Sequence, residues 1–349
     1  MNSKERVRTA LRRREPDRMP VFANFVPEKK RELLAHFGTD DFYEMTIALG
    51  SDMVMAGGGI ELSFYGPEEE YVCEWGCTWR YFQNRAGRYT EIVRHPLQDD
   101  PDGRKLEAFR IPDPVADKVA APVRALVEKY GRDYFICQSL ACSIFEAGWY
   151  LHGLEDTMMD MAANPDYAHA LFDKTMQFPL QAGLRAIREG CDMVWLGDDV
   201  GMQDRMMMSP ETWRTFLKPR LAAIIRAFHE ENPEVLVAYH SCGYIEPIIE
   251  DLIEIGLDVL NPIQPLAMDP ARIKEAYGDR LAFWGGICVQ KTLPLGTEQD
   301  IRDEVALRMR TIGKGGGYLM SPAHNIQADT SLANILAFFR AAKELGIYY

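Results

Sequence analysis

At 349 residues, 47% of them apolar, the chain can bury roughly three quarters of its unfolded surface, which excludes a disordered protein. A formal charge of −13 excludes the clustered Lys and Arg that nucleic-acid phosphates require. No uncharged apolar run reaches the roughly 18 residues of a membrane helix, and the Arg-rich start from Arg6 to Arg18, broken by Glu15 and Asp17, reads as an amphipathic helix, so a cytoplasmic protein with neither membrane nor nucleic acid as partner is expected.

In chain order, eight short β-branched or aromatic runs each end in a turn or polar residue and lead into a helical stretch. The first two are 19–22 and 52–56. Residues of about 60–115 then break the rhythm, with 78–83 and 89–93 flanking Asn84-Arg85-Ala86-Gly87, a β-hairpin inserted after the second strand as a lid or wall. The remaining runs are 134–138, 193–196, 235–239, 259–261, 281–284 and 318–320. Between the fourth and fifth, Ser209 as N-cap and Pro210 in the first turn predict a helix over 210–229. Eight βα units with right-handed crossovers predict an α/β fold, a (β/α)8 TIM barrel forming a single domain over 1–349, with an open doubly wound sheet as the alternative.

In such a barrel the residues just past each strand share one face. Here they include Asn24, Gly57-Gly58-Gly59, Ser139 and Cys142, Asp198-Asp199, His240 and Cys242, Asn261 and Gln264, Cys288, and Ser321 with His324-Asn325. His240 and Cys242, two apart on extended backbone, point to one side, and imidazole with thiolate suits zinc; otherwise they are a capping histidine beside a buried thiol. His324 is the first choice for a further metal ligand, unless it only bonds a backbone carbonyl beneath Asn325. Asp198 or Asp199 offers a carboxylate as fourth ligand or substrate anchor, the alternative being a helix or turn cap. Cys288 is a weaker candidate for a reactive or ligating thiol and could be a small core residue. The glycine runs lack phosphate-loop endings and read as turns. Seven cysteines, an odd number, do not suggest a disulfide framework.

The opening Arg6-Val7 through Pro16-Asp17-Arg18-Met19-Pro20-Val21, the block Gly197-Asp198-Asp199-Val200-Gly201, His240-Ser241-Cys242-Gly243, Asn261-Pro262-Ile263-Gln264, Trp284-Gly285-Gly286-Ile287 and Ser321-Pro322-Ala323-His324-Asn325-Ile326-Gln327 together resemble the uroporphyrinogen decarboxylase superfamily over nearly the whole chain. The His-x-Cys pair resembles its cobamide-dependent methyltransferase branch. That resemblance implies a barrel-bound Zn2+, a corrinoid (methylcobamide) carried by a small partner protein, and a small-molecule methyl donor or acceptor. His324 stands where thiol-methylating members carry a Cys, and Cys288 where many relatives are expected to carry Asp.

With the resemblance, these residues imply a zinc-dependent corrinoid-linked methyltransferase, with His240, Cys242 and His324 expected on the metal, Asp198, Asp199 and Cys288 in catalytic positions, and Asn24, Gln264 and Asn325 binding substrate. A decarboxylase-like lyase and a non-catalytic corrinoid or metal carrier are the alternatives. Uroporphyrinogen carries eight carboxylates, and Phe22-Ala23-Asn24-Phe25-Val26 lacks the arginines its pocket needs after the first strand. Asn84-Arg85-Ala86-Gly87-Arg88-Tyr89 echoes the decarboxylases' arginine motif but lies in the hairpin.

Overall fold

Runs rich in Val, Ile, Leu, Phe and Met form the strands in the computed structural model, which describes residues 1–84 and 87–348. In chain order the strands are β1 (Met53–Ala56), β2 (Glu70–Val72), β3 (Thr78–Asn84), β4 (Gly87–Arg94), β5 (Phe135–Ala141), β6 (Met193–Gly197), β7 (Leu236–His240), β8 (Val259–Asn261), β9 (Ala282–Ile287) and β10 (Tyr318–Pro322). Seven make one parallel sheet in the order β1-β5-β6-β7-β8-β9-β10, so neighbours in space are also successive parallel strands.

The expected first strand, 19–22, is reduced to a single parallel bridge, Val21 to Met320. Pro20 has no N–H to give a ladder, and its carbonyl instead accepts from Met320 N at 3.0 Å. Phe22 N donates to the Met320 carbonyl at 3.0 Å, and Asp52 N to the Val21 carbonyl at 2.8 Å, so the segment joins β10 to the start of β1 and closes the curled sheet into a barrel. The Asp52 side chain takes the missing ladder position, accepting Val21 N–H at 3.0 Å while Arg6 and Arg18 neutralise it at 2.8 and 2.7 Å. Those two arginines give the basic N-terminal cluster a structural use. Arg6 lies on a helix, Ser3–Leu11, opened by an Asn2/Glu5 capping box.

Alternate residues of the strands, among them Phe135 and Cys137, Leu236 and Ala238, and Ala282 and Trp284, pack into one apolar cluster with Val7 and Leu11 of the N-terminal helix. This is the period-two face turned into the barrel, and the helix closes its lower end. The opposite face packs against the surrounding helices in a second, larger cluster.

Between β1 and β5 the inserted segment forms an antiparallel sheet, β2-β3-β4, one strand more than the expected hairpin. The two central positions of its expected turn, Arg85 and Ala86, lie outside the described residues. The helix expected over 210–229 is two, Pro210–Phe216 and Lys218–Glu231. Ser209 Oγ caps the first by accepting Thr212 N–H at 3.1 Å, but Pro219 cannot donate backwards and breaks the run. Among the described residues no helix is long and apolar enough to cross a membrane.

Candidate metal centre

His240 continues the inward face of β7 two residues above Ala238, which brings its imidazole to the C-terminal mouth of the barrel. Gly197 of β6 lies opposite it, and a Cβ there would come within 2.6 Å of the His240 Cβ, so only glycine lets the ring sit so close to the neighbouring strand. On the other side Asn261 of β8 pairs with His240. Asn261 Nδ2 donates to the Trp284 carbonyl at 2.9 Å, which turns Oδ1 toward His240 Nδ1 at 2.5 Å. The proton therefore resides on Nδ1 and the Nε2 lone pair is left for a metal.

Cys242 Sγ stands 3.4 Å from that Nε2. Its backbone is held tightly: Asp199 Oδ1 accepts Cys242 N–H at 2.7 Å, Ser241 Oγ accepts Val200 N–H at 3.0 Å, and Gln264 Oε1 accepts Gly243 N–H at 2.9 Å. Gly243 turns the chain at φ +81°, a conformation that side-chain-bearing residues avoid. His324, just past β10, places its ring centroid 6.0 Å from that of His240. One ligand atom each from His240, Cys242 and His324 lie within 4.8 Å of one another.

Ligands about 2.0–2.3 Å from a tetrahedral zinc are roughly 3.5 Å apart, so this cluster needs little movement to hold the ion. Its electrostatics agree. Burial, with Asp199 and then Glu146 nearby, pushes the Cys242 thiol well up, so a cation is needed to make it a thiolate. His324 is exposed at the cavity mouth, yet desolvation of its ring and then the neighbouring His240 push it down, which favours the neutral, ligating imidazole.

The centre opens on a cavity of about 650 Å³ whose lining includes His240, His324, Asp199, Asn24 and Asn325. Trp195 and Trp284, 5.1 Å apart by ring centroids, give it an aromatic surface, and Trp195 meets the His240 ring edge-on at 5.3 Å.

The expected site residues divide accordingly. Asp199, in phase with the inward residues of β6, has a carboxylate oxygen 3.4 Å from His240 Nε2. Asp198 is one residue out of phase and faces the other way. Its Oδ1 accepts the N–H groups of Ile144 and Glu146, both at 2.9 Å, capping the helix Phe145–His152, so the structure does not bring this expected site residue to the cavity lining. Cys288 is not brought there either: it is buried outside the cavity lining, with its N–H bonded to Glu304 Oε1 at 3.1 Å. Gln264 is outside that lining too, and holds the Gly243 turn through its carbonyl while its amide meets Gln290 at 2.8 Å. Arg88 of the motif echo pairs with Glu69 on the inserted sheet.

Sequence reasoning passed over two acids that line the cavity. Glu146 accepts from Tyr150 Oη and from Asp199 N, both at 3.0 Å, and burial together with Asp199 and Asp198 pushes its carboxyl well up. Burial pushes Glu61 up to about 7, and Ser139 Oγ donates to it at 2.9 Å. An acid inside an otherwise apolar run just past a barrel strand was the available signal for both.

The family model described as uroporphyrinogen decarboxylase (URO-D) matches residues 87–345. Among curated relatives, the methylcobamide:CoM methyltransferase MtaA of Methanosarcina barkeri is 24% identical over 257 residues, covering 74% of this chain and 72% of the relative. A uroporphyrinogen decarboxylase of Pseudomonas aeruginosa is 27% identical over 277 residues, covering 77% and 74%. A solved methyltransferase from Methanosarcina mazei superposes with a TM-score of 0.75 at 20% identity, over 99% of both chains. The barrel, and a family match that runs from the inserted sheet to the last helix, place this chain in the uroporphyrinogen decarboxylase family.

Proposed function

We propose that the protein is a zinc-dependent methyltransferase that moves a methyl group between a corrinoid carried by a small partner protein and a small molecule held in the cavity. The observation that carries this reading is the cluster of His240, Cys242 and His324 beside a cavity large enough for that molecule. The likeness to a methylcobamide:CoM methyltransferase supports it.

A zinc ion held there would supply Lewis acidity, polarising or deprotonating the heteroatom that carries or receives the methyl group. The residues of the chain do the rest. Asn261 fixes the tautomer and direction of His240, and Asp199 holds the Cys242 backbone and offers a carboxylate as fourth ligand or substrate anchor. Asn24 and Asn325 bring amide groups to the cavity for orienting substrate, and the indoles of Trp195 and Trp284 keep water from its surface. Gln264 acts one step back, through the Gly243 turn.

The decarboxylase relatives suggest the other chemistry, but the cavity argues against their substrate. Among the described residues lining it, Lys30 is the only Lys or Arg, whereas eight carboxylates would need several cations. Zinc-loaded protein mixed with methylcobalamin and candidate acceptors, or with cob(I)alamin and candidate donors, should change the visible corrinoid spectrum. Cys242→Ser should abolish that change. Corrinoid binding with no spectral change under any pairing would leave the carrier alternative, and release of CO2 from uroporphyrinogen by metal-free protein would establish the lyase.

A further inference from the structure

Charge is unevenly placed around the cavity. Asp199 is within ion-pair distance of His240, and Glu146 is joined to Asp199 by a hydrogen bond, so two of the three acids among the described lining residues stand beside the ligand cluster, while Glu61 lies on the segment after β1 and accepts from Ser139. Lys30 belongs to a different element, the helix Pro27–Phe37, and its ammonium sits 4.5 Å from the centroid of the Phe42 ring. Among the described residues no carboxylate pairs with it, although its neighbours Lys29 and Glu32 pair with each other at 2.6 Å. Burial alone pushes the Lys30 amine down, with no opposing charge to restore it. An ammonium held in this way lacks a counter-charge that a ligand can bring.

We propose that Lys30 is the anion-recognition point of the cavity, and that the small-molecule ligand is an aromatic monoanion. Its charged group lies on Lys30 and its reacting end is turned toward His240, Cys242 and His324. A single cation suits a single negative charge. Lys30 stands on a different element from the His240, Cys242 and His324 cluster and is the only Lys or Arg among the described residues lining the cavity, so it holds the charged group of the ligand at its own end. Phe25, Phe42, Tyr43 and Tyr65 line the cavity with Lys30 and provide faces for a flat ring. The orientation rests on the methyltransferase reading; recognition of the anion does not.

Calorimetric titration of the zinc-loaded protein with benzoate, benzamide, propionate and benzylamine tests this. Benzoate should bind wild type about tenfold or more tighter than its neutral isostere benzamide, and likewise tighter than propionate. Lys30→Met should weaken benzoate about tenfold while leaving benzamide and the zinc content unchanged, and Lys30→Arg should keep most of the benzoate affinity. Equal binding of benzoate and benzamide, preference for benzylamine, or an unaltered benzoate affinity in Lys30→Met overturns the anion site. Propionate matching benzoate overturns the aromatic body. Benzoate recognition through Lys30 in a protein that never alters a corrinoid spectrum refutes methyl transfer and not this site; the opposite pattern refutes this site and not methyl transfer.

Discussion

Replacing Asn261 by Leu tests whether the candidate metal centre depends on its supporting hydrogen bonds. Asn261 is 4% exposed and makes two bonds, accepting from His240 Nδ1 at 2.5 Å and donating to the Trp284 carbonyl at 2.9 Å. Leucine of similar volume removes both. The Nδ1–H is then buried without an acceptor, at a cost of about 1–3 kcal/mol, unless the ring turns or changes tautomer. Either escape misdirects Nε2, so zinc affinity should fall about 10–100-fold, which is about 1.4–2.7 kcal/mol. Asn261→Asp keeps an acceptor for Nδ1 and should stay within about tenfold of wild type. Competition for zinc against a chromophoric chelator, with thermal melts of each variant, measures the effect. A folded Asn261→Leu protein that binds zinc within about threefold of wild type would refute the reasoning.

Four further outcomes follow from the geometry. His240→Ala and Cys242→Ser should each bring zinc, measured by elemental analysis after remetallation, below about half an equivalent, whereas Cys288→Ala should leave it unchanged. Removing the metal by chelation should lower the melting temperature, since at about 100 times its dissociation constant a ligand that binds only the folded state stabilises it by about 2.7 kcal/mol; an identical melt with and without zinc contradicts a preformed site. Asp198→Ala should lower the melting temperature through loss of the cap on Phe145–His152 while zinc content stays at the wild-type level, and loss of zinc together with an intact melt would return Asp198 to the metal. Burial pushes the Asp198 carboxyl from 3.8 up to about 7, so the folded protein holds this proton more tightly than the unfolded chain; its contribution is present below about pH 4 and lost as pH rises through about 7. Asn at 198 cannot ionise, so the melting temperature of Asp198→Asn should fall less between pH 5 and 8 than that of wild type, and parallel pH profiles would contradict the assignment.

Much of the architecture was legible because a parallel barrel repeats one local pattern. Seven of the eight expected strands form the sheet, and the eighth fails to form a ladder only where Pro20 removes a donor. The third strand of the insertion, β2, was not legible, since Glu70-Tyr71-Val72 is short and lies largely exposed. Pro219 is visible in the sequence, but the apolar face that runs on either side of it hides the break it makes.

For the candidate site, the sequence determined the chemistry on offer: imidazole and thiolate two apart at a strand end, another imidazole past the last strand, and adjacent carboxylates in Asp198-Asp199. Only the tertiary structure decided which of these meet. His240 and His324 are 84 positions apart in the chain and approach because strands β7 and β10 end on the same rim of the barrel. Asp198 and Asp199 are indistinguishable as residue types, yet the period-two phase of β6 sends one to a helix terminus and the other beside His240. Lys30 and Glu146 likewise acquire meaning only from what surrounds them, because the cost of a buried charge depends on its neighbours in space and not on those in sequence.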